Sequence, residues 1–468
     1  MTFSINQPLF WLYLFNIFLV IATIIHMLYQ RRSPQNLMAW LLTLLLLPIF
    51  GVILYVLFGS RKFFNKRNKP AISMRSVSVA EPDNELAFQL DRLLQSNHIA
   101  GTTNGNQVSL CHTDVEAYSI LMEAIENAQH SIHIQTYIFE LDKTGHTILE
   151  ALIRKAQQGV QVRLLIDAIG SFALYRNSKR LRRLTEAGGR YAFFQPILHS
   201  LFKSQLNLRN HRKIYLFDQS VLLTGGMNLS NDYLGTPDTT PKEGRWIDLM
   251  FKIEGPTTFH YQNIFNEDWF YTTNERLPSP QPPDNLPTTP GEIMQAVPSG
   301  PDINSDALFE TLLHSIYLAK ESIHIVTPYF IPDSAIMHAL LIAIKRGVKV
   351  TLITPDTSDH LIFDLGRSSY MRELGEMGGQ LFYYQDNMLH AKFIMIDHKT
   401  MLIGSANLDY RSLFINHEMV NFIYSEPLIE QMSEWLEKLL ANSIPYQPSD
   451  NRIRRLLENL TRIVAPIL

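Results

Sequence analysis

The chain has 468 residues, with 41 lysines and arginines against 44 aspartates and glutamates, and a formal net charge of −3 at pH 7. This length suffices for two or three domains, and the near balance of charge excludes a strong overall positive field of the kind that attracts nucleic acid. A single cysteine, Cys111, excludes an internal disulfide framework.

Two stretches near the amino terminus, residues 9–29 and 37–58, contain no Asp, Glu, Lys or Arg. Each is long enough to cross the hydrocarbon core of a bilayer as a helix. Residues 1–63 are therefore expected to form a membrane hairpin of two transmembrane helices, the second kinked by Pro48 and Gly51. A cleaved signal peptide is the alternative for the first stretch, but a basic leading region and a small-residue cleavage site are both missing.

Basic residues are distributed unequally around this hairpin. Its loop contains Arg31 and Arg32. A larger basic group follows it: Arg61, Lys62, Lys66, Arg67 and Lys69. By the positive-inside rule, this count predicts that both termini and the large remaining domain are cytoplasmic.

Residues 64–105 are predicted to be a connector with a weak helix near residues 85–94. Beyond it, the same order of helix, strand, helix and strand occurs twice: residues 115–128, 131–134, 148–157 and 160–166, then residues 308–319, 322–325, 337–345 and 348–354. Both first strands read Ser-Ile-His-Ile, which indicates a duplicated unit. We expect an α/β protein of two pseudo-twofold-related lobes, residues 106–275 and 302–468, each a mixed β-sheet flanked by helices.

Three segments lie outside the repeated pattern. Prolines are dense between residues 276 and 301, which predicts a linker between the lobes. Basic residues are dense between residues 176 and 183. They are expected to form either a solvated helix face or a patch that attracts anionic lipid. The carboxyl-terminal stretch 452–468 is predicted to be an amphipathic helix that either lies on the membrane surface or packs on the core.

One short pattern, H-x-K-x4-D-x6-G-[GS]-x-N, occurs once in each predicted lobe. Its members in the first lobe are His211, Lys213, Asp218, Gly226 and Asn228. Its members in the second lobe are His390, Lys392, Asp397, Ser405 and Asn407. A lone H-x-K carries no information, but recurrence at identical spacing does, so the pattern predicts a shared functional site.

The chemistry of this pattern follows from strand geometry. Each H-x-K leads into an apolar run typical of a strand, and alternation places His and Lys of one motif on the same face. Asp218 and Asp397 lie an odd number of residues from their histidines, so they turn to the opposite face and are not expected to touch substrate. Histidine, lysine and asparagine side chains facing one another would form a donor-rich pocket suited to a phosphoryl centre.

The double motif resembles that of the phospholipase D superfamily. The resemblance implies that His211 attacks phosphorus and that His390 is the general acid and base. It implies catalytic motif positions at Lys213, Lys392, Asp218 and Asp397, and substrate contacts at Asn228, Asn407, Gly226 and Ser405. A carboxylate just beyond each motif would orient the histidine through its other ring nitrogen, and the matching residues are Asp248 and Glu418.

The amino-terminal hairpin with Ala39-Trp40-Leu-Leu42, and the stretch Gly404-Ser-Ala-Asn-Leu-Asp-Tyr-Arg-Ser-Leu-Phe-Ile-Asn-His-Glu418, resemble bacterial cardiolipin synthases. That family transfers a phosphatidyl group between two phosphatidylglycerol molecules without a metal or other cofactor. The resemblance implies a multi-pass protein of the bacterial inner membrane that contacts phosphatidylglycerol and anionic lipid but no nucleic acid. A membrane-bound phospholipase D that releases phosphatidic acid would use the same residues, and a nuclease or a non-catalytic scaffold is a more distant alternative.

Overall fold

The computed structural model describes residues 8–29, 34–59, 69–77, 82, 84–202, 205–241, 244–280 and 291–464. The helices are α1 Pro8–Tyr29, α2 Pro34–Leu46, α3 Pro48–Phe58, α4 Glu85–Ser96, α5 Asp114–Asn127, α6 Lys143–Gln157, α7 Phe172–Arg176, α8 Arg182–Glu186, α9 Ile197–Phe202, α10 Thr257–Thr273, α11 Ala307–Leu318, α12 Ser334–Lys345, α13 Leu361–Glu376, α14 Tyr410–Phe414, α15 Glu426–Ala441 and α16 Arg452–Val464. The strands are β1 Thr103–Leu110, β2 Ser131–Thr136, β3 Gln161–Asp167, β4 Arg190–Phe194, β5 Ile214–Phe217, β6 Val221–Gly225, β7 Met250–Glu254, β8 Glu292–Ser299, β9 Ser322–Val326, β10 Phe330–Ile331, β11 Lys349–Pro355, β12 Gln380–Tyr384, β13 Phe393–Ile396, β14 Thr400–Gly404, β15 Leu408–Asp409, β16 Glu418–Ile423 and β17 Ser443–Pro445.

Fifteen strands form one mixed sheet in the order β17-β12-β11-β9-β13-β14-β16-β8-β1-β7-β6-β5-β2-β3-β4. Outward from the β8–β1 junction the two halves repeat the same order, apart from the additional strand β17. The matched central strands also share their register. Strand β2 pairs in parallel with β3 and antiparallel with β5, and β9 pairs in the same way with β11 and β13. The duplicated α/β lobes predicted from the sequence are confirmed.

The two lobes share a continuous sheet because β1 pairs antiparallel with β8. Strand β8 lies within the proline-dense segment predicted as a linker, and β1 begins within the predicted connector. Pro298 opposes Met419 of β16, whereas the pairs of β8 with β1 involve Glu292 and Met294. A proline without a backbone N–H is tolerated there because it lies beyond the residues of β8 that pair with β1.

The central strands are covered on both faces. Every residue of β2 and β9 is buried, as expected for strands between layers of helices. His133 and His324 belong to these strands, and His133 stacks on Phe265 with ring centroids 4.6 Å apart. Burial lowers the pKa of each histidine to about 4, so both are neutral core residues at pH 7.

The prediction of two transmembrane helices requires correction. Helix α1 contains a segment, Phe10–Tyr29, that is long and apolar enough to span a membrane. The second apolar stretch is divided into α2 and α3 by a break at Leu47 and Pro48, where proline removes a helical hydrogen bond. Their lengths of about 20 and 17 Å fall short of a hydrocarbon core of about 30 Å.

The two short helices fold against each other and against α1. A Cβ on Gly51 would lie 3.0 Å from the Thr43 carbonyl oxygen, so glycine permits the close approach. Met27, Trp40, Leu44 and Tyr55 form a buried cluster between the three helices. The basic residues 61, 62, 66 and 67 used in the charge count lie outside the described residues, as do Arg31 and Arg32.

The basic segment 176–183 is not one helix. Helix α7 is followed by a 3-10 turn, Ser178–Leu181, and then by α8. Arg182 pairs with Glu186 and Arg183 with Glu150, and all four side chains are solvated. Ion pairs on an exposed surface account for part of this basic run.

Candidate active site

The first motif enters the site immediately before β5. The His211 backbone N–H donates to the His417 carbonyl at 2.8 Å, and the Asn210 and His417 backbones form a parallel bridge. The imidazole Nδ1 lies 2.9 Å from Glu418 Oε2. A hydrogen bond from Nδ1–H leaves the Nε2 lone pair free to attack an electrophile.

The second motif repeats this arrangement before β13. The His390 backbone N–H donates to the Ile247 carbonyl at 2.7 Å. Its Nδ1 lies 2.7 Å from Asp248 Oδ2. Each motif histidine is therefore positioned by a carboxylate and by a backbone contact.

The carboxylates are exchanged between the lobes. Glu418 begins β16 of the second lobe and holds His211 of the first, whereas Asp248, just before β7 of the first lobe, holds His390 of the second. Sequence reasoning identified both acids but could not assign this pairing, because the partners are 207 and 142 residues apart in the chain. Neither histidine is correctly held unless both lobes are assembled.

The motif lysines lie beside their histidines, as strand alternation predicts. Lys213 Nζ donates to the His211 carbonyl at 2.9 Å and lies 5.7 Å from the centre of the Tyr137 ring. Lys392 Nζ lies 3.0 Å from His390 Nε2. Both side chains are almost fully buried, at 1% and 4% exposed.

The two asparagines are buried at the same site. Asn228 Oδ1 accepts a hydrogen bond from the Ile138 backbone N–H at 3.2 Å. Asn407 Oδ1 is buried and has no hydrogen-bond partner among the described residues. Such a polar atom is costly to bury alone, so Asn407 is suited to a polar contact with a bound molecule.

Gly226 and Ser405, matched to substrate contacts by the resemblance, lie against the two acids. A Cβ on Gly226 would lie 2.1 Å from Asp248 Oδ1, so glycine is required for that carboxylate to occupy its position. Ser405 Oγ donates to Glu418 Oε2 at 2.5 Å. Both residues thus act on the carboxylates that position the histidines.

Asp218 and Asp397 lie away from the imidazoles, as their odd spacing predicts. Asp218 accepts backbone hydrogen bonds from Gln129, His130 and Ser131 at 2.7–2.8 Å. Asp397 accepts the equivalent bonds from Lys320, Glu321 and Ser322 at 2.8–2.9 Å. Each aspartate ties the β-turn after its motif strand to the start of the neighbouring central strand.

Replacing Asp397 by Ala is expected to lower the free energy of unfolding by roughly 1.5–3 kcal/mol, because three backbone N–H groups lose a charged acceptor. Turnover of the molecules that remain folded should stay near the wild-type value. Thermal unfolding and active-site-normalised turnover of the same preparation measure both quantities. A large loss of turnover without loss of stability would instead place Asp397 in the chemistry.

Burial sets the protonation of the site. It lowers the pKa of His390 to about 4, with help from Lys392 and against Asp248. Burial also lowers the pKa of His211, that of Lys213 to about 7 and that of Lys392 to about 8. For Asp248 and Glu418 burial acts in the raising direction, but the neighbouring lysines and histidines outweigh it and the pKa of each carboxyl is lowered. Near pH 7 the site therefore holds neutral imidazoles, carboxylates, a Lys213 side chain close to half-protonation and a Lys392 side chain that is mostly protonated.

Aromatic residues that the sequence analysis did not assign to the site surround the histidines. Tyr137 lies 4.9 Å from the His211 ring centroid. Trp246 and Tyr233 lie 5.1 and 5.3 Å from the His390 ring. These rings exclude water from the imidazoles. Tyr137 follows strand β2, and no spacing rule pointed to its position beside His211.

A buried ionic cluster lies behind the first motif. Arg212, between the motif histidine and lysine, pairs with Asp268 and Asp302 at 3.0 Å each, and Lys69 contacts the same two carboxylates. Arg212 Nε also donates to the Glu418 carbonyl at 3.1 Å. The second motif has Ala391 at the corresponding position. Because the second motif lacks such an arginine, only the carboxylate that positions His211 has a backbone held by the buried ionic cluster, among the residues that the structure describes.

The family description "Cardiolipin synthase, PLD-like domain" matches residues 121–269 and 312–440, and "Phospholipase_D-nuclease N-terminal" matches residues 18–60. Cardiolipin synthase 1 of Bacillus anthracis is 33% identical over 464 residues, which cover 94% of this chain and 90% of that protein. The major cardiolipin synthase ClsA of Bacillus subtilis (strain 168) is 33% identical over an alignment of 481 residues, which covers 97% of this chain and 98% of that protein. Among solved structures, phosphatidylserine synthase of Haemophilus influenzae Rd KW20 has the same fold, with a TM-score of 0.60 at 16% identity over 81% of this chain and 100% of that chain.

The chain belongs to the family of cardiolipin synthases with phospholipase D-like domains. The family expected from the double motif and the amino-terminal segment is confirmed. With it, the prediction of an enzyme that transfers phosphatidyl groups is confirmed.

Proposed function

We propose that this protein synthesises cardiolipin by moving the phosphatidyl group of one phosphatidylglycerol onto a hydroxyl group of a second, with release of glycerol. The observation that carries the proposal is the crossed site, in which each motif histidine is held by a carboxylate of the other lobe. Such a site supplies one imidazole as the nucleophile and the other as the general acid and base for two consecutive phosphoryl transfers. The buried lysines and asparagines match the anionic oxygens of a phosphodiester.

In the first step, His211 Nε2 attacks phosphorus and forms a P–N bond. The P–O bond to the glycerol headgroup breaks, and the leaving oxygen takes a proton from the His390 imidazolium. The negative charge of the bound phosphodiester favours that protonated form, which burial alone disfavours. Glu418 stabilises the positive charge that develops on His211.

In the second step, the hydroxyl group of another phosphatidylglycerol enters the space that glycerol has left. His390, now neutral, removes its proton while the oxygen attacks phosphorus. The P–N bond breaks, and its electron pair returns to His211 Nε2. Lys213, Lys392, Asn228 and Asn407 hold the phosphoryl oxygens through both steps, while Gly226 and Ser405 keep the two carboxylates in position.

The direct test supplies membranes containing the protein with phosphatidylglycerol labelled in its headgroup. Cardiolipin and free glycerol should form in equal amounts, as measured by mass spectrometry of the lipids and counting of the released label. Phosphatidic acid without cardiolipin would mean that water is the acceptor and that the protein is a phospholipase D. Turnover of nucleic acid but of no phospholipid would favour the nuclease alternative.

The pH dependence of kcat/KM is expected to be bell-shaped. Activity should fall on the acid side as His211 gains a proton, at a pH below the usual histidine value because burial lowers its pKa. It should fall on the alkaline side between about pH 7 and 8, as Lys213 and Lys392 lose the positive charge that binds the phosphodiester. A constant kcat/KM from pH 6 to pH 10, well beyond those lysine pKa values, would contradict the roles given to both lysines.

For localisation, we propose the bacterial cell membrane, with the catalytic lobes on the cytoplasmic side and the amino-terminal segment embedded. Helix α1 and the family match over residues 18–60 support membrane attachment. We keep the domain limits 1–63, 64–105, 106–275, 276–301 and 302–468 as working boundaries, except that β1 is assigned to the first lobe and β8 to the second, because they pair with β7 and β16. Labelling of a cysteine at exposed Gln157 in intact cells, against lysed cells, tests the side: protection in intact cells is expected.

A further inference from the structure

Helix α16 presents its apolar side to solvent. Its outward side chains are strongly exposed, at 71%, 60%, 48% and 48%: Ile453, Leu456, Leu457 and Leu460. Glu458, on the opposite side, is 1% exposed. A helix on the surface of a globular protein normally buries its apolar stripe and exposes its charges. The arrangement of α16 is reversed, and four adjacent apolar side chains are about half exposed or more.

Polar contacts fix this orientation on α13. Asn459 Oδ1 accepts hydrogen bonds from Ser369 Oγ at 3.0 Å and from Arg372 at 2.8 Å. Glu458 pairs with Arg372 and with Arg454. Arg462 donates to the Ser369 carbonyl at 3.2 Å and lies 4.3 Å from the centre of the Tyr370 ring. The sequence allowed α16 either to pack on the core or to lie on a membrane, and its polar side packs while its apolar side remains available.

The helix beneath α16 begins beside the active site. Leu361 and Ile362, the first residues of α13, are 76% and 45% exposed. The next residue, Phe363, lies 4.5 Å from Tyr329, whose ring is in turn 6.4 Å from that of His390. A second exposed apolar group therefore lies at the edge of the site, on the helix that carries α16.

The charge on α16 indicates which surface covers it. The helix contains Arg452, Arg454, Arg455 and Arg462 against Glu458 alone, and that glutamate is buried in its pairs with arginine. Arg455 and Arg462 also contact Asp450 and Glu373, but these two pairs are partly exposed and therefore weak. Apolar residues flanked by arginines match a bilayer surface, where acyl chains receive the leucines and lipid phosphates receive the guanidinium groups. Helix α1 is long and apolar enough to hold the same chain close to a bilayer.

We infer that α16 and the first turn of α13 rest on the surface of an anionic bilayer and turn the His390 side of the active site toward the lipid headgroups. The inference rests on the proposed function only in expecting a lipid substrate. The contact with lipid itself does not depend on catalysis, so the two can fail separately.

The test uses the full chain with Leu456→Cys, labelled with an environment-sensitive fluorophore and reconstituted into vesicles. The native Cys111 is buried and its pKa is raised to about 12 by burial, so it does not compete for the label. The control is Gln157→Cys, an exposed position at the end of α6, next to the start of β3 and away from the carboxyl ends of the strands that lead to the site. Vesicles of phosphatidylglycerol are compared with vesicles of phosphatidylcholine.

In phosphatidylglycerol vesicles the Leu456→Cys probe should shift to shorter wavelength and resist aqueous iodide, while the Gln157→Cys probe should do neither. The same result is expected when His211 is also replaced by Ala, which separates this inference from the proposed reaction. Equal iodide quenching at the two positions would overturn the membrane contact, and equal protection in phosphatidylcholine would overturn the anionic-lipid assignment. Protection that grows with the protein-to-lipid ratio would overturn the membrane contact, because it would mean that a second copy of the chain covers α16.

Discussion

Replacing His211 by Ala should reduce cardiolipin formation by roughly 10⁴- to 10⁶-fold, the range seen when a central group of a covalent catalytic unit is lost. Without the imidazole that Glu418 positions, no nitrogen nucleophile is left to form the P–N bond. The remaining lysines and asparagines still bind a phosphodiester, so lipid binding should be retained. Initial rates of glycerol release and binding of labelled phosphatidylglycerol to the same membranes measure the two effects.

The matched control is His112→Ala, which removes an exposed histidine remote from the motif in sequence. Its rate should equal that of the wild type. His390→Ala should be impaired as severely as His211→Ala with phosphatidylglycerol, because the glycerol oxygen is a poor leaving group without an acid. A His211→Ala variant with a rate near that of the wild type would place the nucleophile elsewhere.

Replacing Lys69 by Met should destabilise the protein by roughly 3–5 kcal/mol, the usual cost of leaving a buried charge without its partner. Lys69 is 5% exposed, and its ammonium contacts both Asp268 and Asp302. With Arg212 it balances the two carboxylates, so its loss leaves an uncompensated negative charge inside the fold. Arg212 also donates to the Glu418 carbonyl, so the contact between Glu418 and His211 should weaken as well.

Thermal unfolding of the full chain in detergent measures this effect. The control carries the same change at an exposed ion pair, Lys143→Met, where lysine and Asp238 are 63% and 64% exposed. Solvent screens that pair, so little change in the unfolding temperature is expected. Equal unfolding temperatures for the two variants would show that Lys69 contributes nothing to the buried cluster.

Much of the fold was predictable because its signals are local. The repeated Ser-Ile-His-Ile strands, the helices after them and the alternation of His and Lys follow from periodicity within a few residues. The odd spacing of Asp218 and Asp397 correctly placed both away from the imidazoles. The twice-occurring motif also predicted that both histidines belong to one site.

What the sequence did not reveal depends on contacts between distant residues. The pairing of His211 with Glu418 exists only because β16 of one lobe begins beside the motif of the other. The sequence predicted a kink at Pro48 and Gly51, but not that the kink divides the stretch into two helices, α2 and α3, with Gly51 packed on Thr43.

The position of Arg212 in the motif already indicates that its side chain is buried. Alternation turns it to the face opposite His211 and Lys213, toward the core. A buried arginine requires carboxylate partners, although no spacing rule could have named Lys69, Asp268 and Asp302.

Trapping the phosphatidyl group on the enzyme tests the covalent mechanism at the crossed site. The His390→Ala protein is mixed with a phosphatidyl ester of 4-nitrophenol, whose leaving group needs no acid. We predict a rapid release of 4-nitrophenol stoichiometric with enzyme, followed by arrest, because no base remains to activate the acceptor. Peptide mass spectrometry should then find the phosphatidyl group on His211, and a variant that also carries His211→Ala should give no release. Steady release without an adduct, or an adduct on any other residue, would contradict the covalent mechanism at the crossed site.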